Sequence, residues 1–174
     1  MPQPPSTVTP EERAPGFEFR PAWRLEDPEI ERDAIQFWNR LGILPPDVAP
    51  EQRAKELIAA AYKDGKLVGV QTATLGRLEQ VRARLAMFRS AVDPDYRRFY
   101  LSRALTIFSK TLLQRWSAEH PEERLAGLGA VIESKELAAY GKKPYWPETQ
   151  LILVGFMPDG RQIRVSWFEG FRLD

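Results

Sequence analysis

The chain has 174 residues, of which 43% are hydrophobic and 28% are charged, and its formal net charge is +1 at pH 7. These values are typical of one globular domain with a full hydrophobic core, and they argue against a nucleic-acid polyanion or a membrane surface as the main partner. Because the sequence has no cysteine, disulfides, a thiolate nucleophile and sulfur-ligated metals are excluded. We expect a cytoplasmic protein without a membrane span, since residues 1–16 lack the basic and apolar regions of a secretory signal.

The single histidine, His120, stands among charged residues and precedes a proline. This position is typical of a solvated helix end rather than of a catalytic base. We therefore predict neither a Ser-His-Asp triad nor a metal site. Proton transfer would have to use Glu, Asp, Tyr, a substrate group or water.

The N-terminal segment is rich in proline, with five prolines among the first fifteen residues. We predict an extended arm over residues 1–16 and a single domain over residues 17–174. Within this domain, the alternation of apolar and polar residues over 17–23 predicts the first strand.

Two helical signals follow this strand. Asp27 can cap a helix that has Pro28 in its first turn and ends at Gly42. The segment 51–62 begins as a helix, although its end could already be extended. The pair Asp64-Gly65 then indicates a tight hairpin between two apolar runs.

A strand and a helix are predicted at the centre of the chain. Residues 81–92 alternate between apolar and polar, and the alternation changes phase near Met87 and Phe88. This change predicts a β-bulge, which would splay the strand from one neighbour. From Phe99 to Trp116, helical spacing predicts a long helix packed on a sheet through Leu101, Leu105, Phe108 and Leu112.

The C-terminal part continues the sheet. Residues 124–133 are apolar and predict a buried strand, and residues 134–140 predict a short helix. Apolar runs on both sides of the sequence MPDG predict a terminal hairpin. This order of elements predicts an α/β (α+β) fold with a mixed sheet and helices packed against its faces.

The segment VDPDYRRFYLSRAL, residues 92–105, resembles the pyrophosphate-binding motif of the GNAT superfamily of acyl-CoA-dependent N-acyltransferases. Four residues match the family pattern in spacing: Val92, Pro94, Tyr96 and Arg97. Tyr100 and Ser102 occupy the positions of the two small family residues, glycine and then glycine or alanine. A large aromatic residue therefore stands where the family has its first glycine.

A second segment, ESKELAAYGKKPY, residues 133–145, is similar to another GNAT motif. Tyr140, Lys142 and Tyr145 fall in register, whereas Glu133 replaces an asparagine and Pro144 replaces a glycine. The resemblance spans roughly residues 17 to 168. It implies a GNAT-like, mostly antiparallel sheet with a splayed central strand and helices on both faces.

The resemblance also implies a co-substrate, acetyl-CoA or another acyl-CoA. In the family, backbone N–H groups at a helix start hold its pyrophosphate, and a free N–H on the splayed strand polarises the thioester carbonyl. Carried onto this sequence, the implied donor-binding residues are Val92, Arg97, Arg98, Phe99, Tyr100, Leu101, Ser102 and Arg103.

Two catalytic candidates follow from the resemblance. Tyr140 stands where relatives keep a tyrosine that can protonate the leaving thiolate, and packing of its ring is the alternative role. The predicted strand 81–92 has no carboxylate, although many relatives place a glutamate there. Glu133 is therefore the candidate base, with helix capping as its alternative role, and Glu79 is a distant second.

Tyr100 leaves three interpretations open. It can turn inward and leave the N–H groups free, or its ring can plug the cleft of a non-catalytic GNAT-fold binding module. Alternatively, the arginine-rich window 77–103 can hold another phosphate-bearing ligand such as RNA, although the near-neutral charge makes nucleic acid an unlikely partner. We favour an acyltransferase with an altered donor site. Its acceptor, a small molecule or a peptide, and its state as monomer or homodimer stay open.

Overall fold

The computed structural model describes residues 9–135, 137 and 143–172. In this part of the chain, eight strands form one sheet in the order β1-β2-β3-β4-β5-β8-β7-β6. The strands are β1 (Glu18–Pro21), β2 (Leu57–Lys63), β3 (Lys66–Leu78), β4 (Ala83–Val92), β5 (Leu125–Val131), β6 (Tyr145–Trp146), β7 (Leu151–Phe156) and β8 (Gln162–Trp167). The helices are α1 (Pro10–Arg13), α2 (Pro28–Leu41), α3 (Pro50–Ala54) and α4 (Leu101–Glu119).

Helix α2 begins and ends where its sequence signals predict. The Asp27 carboxylate accepts hydrogen bonds from the N–H groups of Glu29 and Ile30, at 2.9 and 3.3 Å. Gly42 ends the helix in the left-handed conformation, with a φ of 60°. The apolar face of α2 packs with residues of β2 and β3 in one core cluster.

The helix predicted at the start of segment 51–62 is short. Helix α3 ends at Ala54, and β2 begins at Leu57. The first six residues of β2 are all buried, because the sheet is covered on both faces. Burial between two layers therefore overrides the helix propensity of the alanine-rich sequence. The hairpin is confirmed, and Asp64 and Gly65 both have positive φ, 49° and 75°, as a type I′ turn requires.

The sheet divides next to β4. Strand β4 pairs with β3 along its whole length without a shift of register, so the bulge predicted at Met87 and Phe88 is wrong. The irregularity lies on the other side of β4, between Arg84 and Ala86, where β4 pairs in parallel with β5. The last β4–β5 pair is Met87 with Gly129, and beyond it each strand follows its outer neighbour, β3 or β8. The predicted splayed central strand is confirmed.

Helices cover both faces of the sheet, as predicted. Helix α4 packs on one face, and α2 and α3 pack on the other. Leu101 and Leu105 are fully buried, but Phe108 and Leu112 are only partly buried. The residues that follow Leu101 at intervals of four, Leu105 and Leu113 among them, face the sheet. Phe108 lies beside this line, and the centre of its ring is 5.7 Å from the centre of the Phe19 ring in β1.

Two short elements, α1 and β6, were not predicted by the sequence patterns. Residues 10–13 form a helical turn with a capping box between Thr9 and Glu12, and Ala14 is 1% exposed, so this part of the arm is not extended. The two-residue strand β6 is too short to show a period of two. The terminal hairpin β7–β8 is confirmed. Within the described residues, no helix has the length and apolarity needed to cross a bilayer.

Candidate functional site

The divergence of β4 from β5 creates a cavity of about 410 Å³. Its walls are Phe88–Ser90 of β4, the first turns of α4, the end of β5 with the residues that follow it, and a segment that contains β6. We call this segment, residues 143–149, the cross-segment. The cavity therefore lies at the point where the sheet opens, between a strand edge and a helix start.

The edge of β4 that faces this cavity carries backbone groups without a strand partner. The Asp93 N–H donates to the Val68 carbonyl of β3 at 2.8 Å. Because N–H directions alternate along a regular strand, the N–H groups of Phe88 and Ser90 point away from β3. The Phe88 N–H still lies within the parallel pairing of Met87 with Gly129, whereas the Ser90 N–H lies beyond that pair and faces the cavity. Such groups can donate hydrogen bonds to the carbonyl oxygen of a ligand.

The start of α4 supplies a second set of donors. A 3₁₀ turn over Pro94–Phe99 leads to Tyr100, which has left-handed backbone angles of 56° and 23°. Within the described residues, the N-cap residue Tyr100 makes no side-chain hydrogen bond to the helix, and the first turn of the helix contains no acidic residue. Uncapped N–H groups and the positive end of the helix dipole favour an anion at this position.

Tyr100 is exposed rather than turned inward. Its relative exposure is 63%, and it is not among the residues that line the cavity. The Arg103 guanidinium carbon lies 4.9 Å from the centre of its ring, in a cation–π contact. The backbone of Tyr100 has the conformation that glycine adopts readily, so the loop keeps a glycine-like shape at a cost in strain.

The other predicted donor-binding residues divide into two groups. Ser102 and Arg103 line the cavity, and the Ser102 hydroxyl lies 3.3 Å from the Ser90 hydroxyl of β4. Leu101 is fully buried and Val92 half-buried, so their side chains belong to the core. Arg97 is exposed, and its Nε donates to the Val92 carbonyl at 3.4 Å. Arg98 and Phe99 lie in the 3₁₀ turn, and their side chains are outside the described part of the structure.

The catalytic candidates are described only in part, because Tyr140 lies outside the described residues. Glu133 lines the cavity with a side chain that is 72% exposed, and it forms an ion pair of 3.3 Å with Arg161. Glu79 does not line the cavity and pairs with Arg77 at 3.0 Å. Among the described residues, the acidic groups that line the cavity are Glu133 and Glu148.

The arginine-rich window forms ion pairs rather than an open basic surface. Arg84 pairs with Glu123 at 2.7 Å, and Arg89 lies 3.8 Å from Glu56. Together with the Arg77–Glu79 pair, these contacts neutralise much of the window. This arrangement weakens the interpretation of the window as a binding surface for RNA.

Asp93 anchors the start of the loop before α4, a role that the sequence motif did not indicate. Its carboxylate is 3% exposed, accepts a 2.8 Å hydrogen bond from Arg40 of α2 and accepts another from the Asp95 N–H at 3.1 Å. Burial raises the pKa of Asp93, but these hydrogen bonds and the charges of Arg40 and Lys66 outweigh it, and the net pKa is lowered. The carboxylate thus stays ionised and ties the loop to α2.

A polar chain, also missed by sequence analysis, links the floor of the cavity to β3. Thr106 Oγ1 donates to the Ser102 carbonyl at 2.8 Å, and the fully buried Gln71 donates to Thr106 Oγ1 at 2.8 Å. The one available signal was a glutamine inside the apolar run VGVQTAT. These hydrogen bonds fix the first turns of α4 against the sheet.

The buried Arg164 of β8 holds the cross-segment in place. Its Nη2 donates to the Lys143 carbonyl at 2.8 Å, and its guanidinium carbon lies 3.9 Å from the ring centre of Trp146. Burial lowers the pKa of Arg164. Two residues further along β8, the Ser166 hydroxyl donates to the Thr149 carbonyl at 3.1 Å. One wall of the cavity is therefore fixed to the sheet.

No protein-family model and no curated protein sequence matches the chain. Solved structures match it in fold. A GNAT-family acetyltransferase from Streptococcus pneumoniae has a TM-score of 0.54 at 15% identity, covering 86% of this chain and 96% of its own. The ribosomal-protein-S5-alanine acetyltransferase from Vibrio fischeri has a TM-score of 0.54 at 11% identity, covering 91% and 96%.

A third similar structure is a mutant of the toxin AtaT, bound to the C-terminus of the antitoxin AtaR and to acetyl-CoA. Its TM-score is 0.54 at 11% identity, and the match covers 87% of this chain and 94% of the toxin. With the splayed strand and the element order, these likenesses show that the chain has the fold of the GNAT acetyltransferases.

Proposed function

We propose that this protein is an acyltransferase that takes an acyl group from acyl-CoA and transfers it to an acceptor. The observation that carries this proposal is the cavity between β4 and β5, which has the Ser90 N–H on one side and the start of α4 on another. The acetyl-CoA in the AtaT structure supports acyl-CoA as the donor. The acceptor is a small molecule or a peptide, and the fold does not select between them.

The residues of the cavity suit such a transfer. The N–H group of Ser90 would polarise the thioester carbonyl, and the start of α4 with Arg97 and Arg103 would hold the pyrophosphate. Attack by an acceptor nucleophile on the carbonyl carbon breaks the bond to sulfur, and the thiolate leaves. Tyr140 would supply a proton to that thiolate, and Glu133 would take the acceptor's proton through water.

Calorimetric titration with acetyl-CoA tests the donor site, and a thiol-reactive dye tests transfer. The dye reports released CoA without background, because the protein has no cysteine. Small amines and short peptides serve as acceptors. We expect Tyr140→Phe to lower turnover by roughly ten- to ten-thousand-fold with unchanged donor affinity, and Glu133→Gln to act in the same direction. An active enzyme whose rate ignores Tyr140→Phe would reduce that tyrosine to a packing residue.

The second candidate function is a non-catalytic binding module. Among the described residues, two acidic side chains line the cavity, and each forms an ion pair with an arginine: Glu133 with Arg161 and Glu148 with Arg103. This pairing favours a binding module, because a carboxylate held by an arginine is a weaker general base. Donor binding without release of CoA for any acceptor in the panel would favour this function. Turnover with one acceptor would exclude it.

A further inference from the structure

One ion pair bridges the mouth of the cavity. Arg103 Nη1 lies 3.4 Å from the carboxylate of Glu148. Arg103 belongs to the first turn of α4 and Glu148 to the cross-segment, so the pair joins two opposite walls, and both residues line the cavity. Glu148 thus places a negative charge beside the guanidinium of Arg103, which belongs to a helix turn without an acidic residue of its own.

Two features define how this pair would respond to an anionic ligand. Its side chains are 34% and 45% exposed, and an exposed pair of this kind is held weakly enough for a phosphate to displace it. The backbone around Glu148 is held by Arg164 and Ser166, through Lys143 and Thr149. The carboxylate therefore stays at its wall of the cavity after Arg103 has turned to a ligand, and it repels that ligand's negative charge.

We propose that Glu148 is an internal counter-ion of Arg103, which a phosphate-bearing donor must displace, and that it sets the affinity of the cleft for such donors. This inference rests on the proposed function, since it assigns a role within the same donor site. It makes Glu148 a specificity-determining residue. Removal of its charge strengthens the binding of ligands that carry phosphate and leaves the binding of uncharged ligands unchanged.

Calorimetric titration of the full chain with CoA, pantetheine and inorganic pyrophosphate tests this role. Glu148→Gln keeps the size of the side chain and is expected to lower the Kd for CoA and pyrophosphate by about two- to fivefold at low salt. The Kd for pantetheine, which has no phosphate, is expected to stay the same. Glu122→Gln, an equal charge change in the exposed turn after α4, is the control and is expected to have no effect.

A double-mutant cycle identifies Arg103 as the partner. In an Arg103→Gln background, Glu148→Gln is expected to give a smaller gain, because one of its two effects, the release of Arg103, is already absent. An equal gain for CoA and pantetheine would overturn the counter-ion in favour of a change in cavity shape. Loss of CoA affinity in Glu148→Gln would also overturn it. If neither the natural protein nor any variant binds CoA, the proposed function fails. If Glu148→Gln then also leaves the affinity for pyrophosphate unchanged, the counter-ion role of Glu148 fails as well.

Discussion

At the level of single residues, Tyr100 combines a large side chain with the backbone angles of a glycine. A non-glycine residue in this conformation costs about 1–2 kcal/mol, whereas glycine loses about 0.4–1 kcal/mol more backbone entropy on folding than alanine does. We therefore expect Tyr100→Gly to be more stable than Tyr100→Ala by about 0.5–1 kcal/mol in urea unfolding. The alanine variant is the matched control, since it removes the ring and keeps the strain.

The same pair of variants tests whether the ring matters for the donor. Because Tyr100 is exposed and does not line the cavity, we expect both variants to bind acetyl-CoA within about threefold of the natural protein. A large gain in affinity for both would restore the interpretation that the ring blocks the cleft. A large loss would show that the ring contacts the donor.

Asp93 is a residue at which stability should depend on pH. Its pKa in the folded state is below its ordinary value of about 3.9, so its contribution is complete above that pH and is lost as the pH falls through the folded pKa. Asp93→Asn is expected to cost about 1–3 kcal/mol at pH 7, because the charged hydrogen bond from Arg40 is lost. The difference from the natural protein, measured by urea unfolding, should shrink below about pH 4. A difference that does not change with pH would assign the cost to packing.

At the level of elements, the sequence predicted those features that are determined by residues close together in the chain. The buried positions Leu101 and Leu105 and the hairpin at Asp64-Gly65 follow from spacing and from residues that accept positive φ. Phe108 was predicted to be buried and is only partly buried. Helical spacing shows which residues share a face of the helix, but it does not show what packs against the residues at the border of that face. The splay was predicted, but its position relative to β5 depends on pairing between strands far apart in sequence.

The same limit applies to the candidate site. Arg97 and Arg103 stand near the helix start because the motif fixes their spacing from it. Their partners lie far along the chain, and the Arg103–Glu148 pair spans 45 residues. The Asp93–Arg40 pair spans 53 residues. Local pattern in one sequence carries no signal for such contacts, so it could not predict the anchoring of the loop or the charge across the cavity.

Strand β5 offers an element-scale test at two glycines. A Cβ on Gly127 would lie 2.4 Å from the backbone oxygen of Ser166, whereas one on Gly129 would first meet the sulfur of Met87. The backbone of a paired strand cannot move away from an added Cβ, whereas a methionine side chain can change its rotamer to make room. We expect Gly127→Ala to cost about 1–3 kcal/mol in urea unfolding and Gly129→Ala to cost less. The reverse order would mean that the β5–β8 pairing is looser than the structure shows.

At the level of the whole molecule, the sheet consists of two parts that meet at a short parallel seam. Strands β1 to β4 form one part and β5 to β8 the other, and β4 and β5 pair only as far as Met87 and Gly129. Helix α4 packs in one core cluster with residues of both parts. A ligand in the cavity would therefore contact both parts, which predicts a change in hydrogen exchange on both sides of the opening.

We expect acetyl-CoA to slow amide exchange in residues 88–92 of β4, in residues 130–134 and in the cross-segment, as measured by mass spectrometry with and without the donor. The Ser90 N–H lies beyond the last β4–β5 pair and faces the cavity, so it exchanges readily until a ligand accepts its hydrogen bond. Strand β2 is buried on both faces, and we expect no local change in its amide exchange. Its amides should show only the general stabilisation of the folded protein by the ligand, which is about 2.7 kcal/mol when the ligand is at a hundred times its Kd.

A second groove of about 1380 Å³, between α4 and residues 167–171, is the alternative position for a ligand. Protection confined to residues 107–118 and 167–171 would move the ligand there and contradict a donor site between β4 and β5.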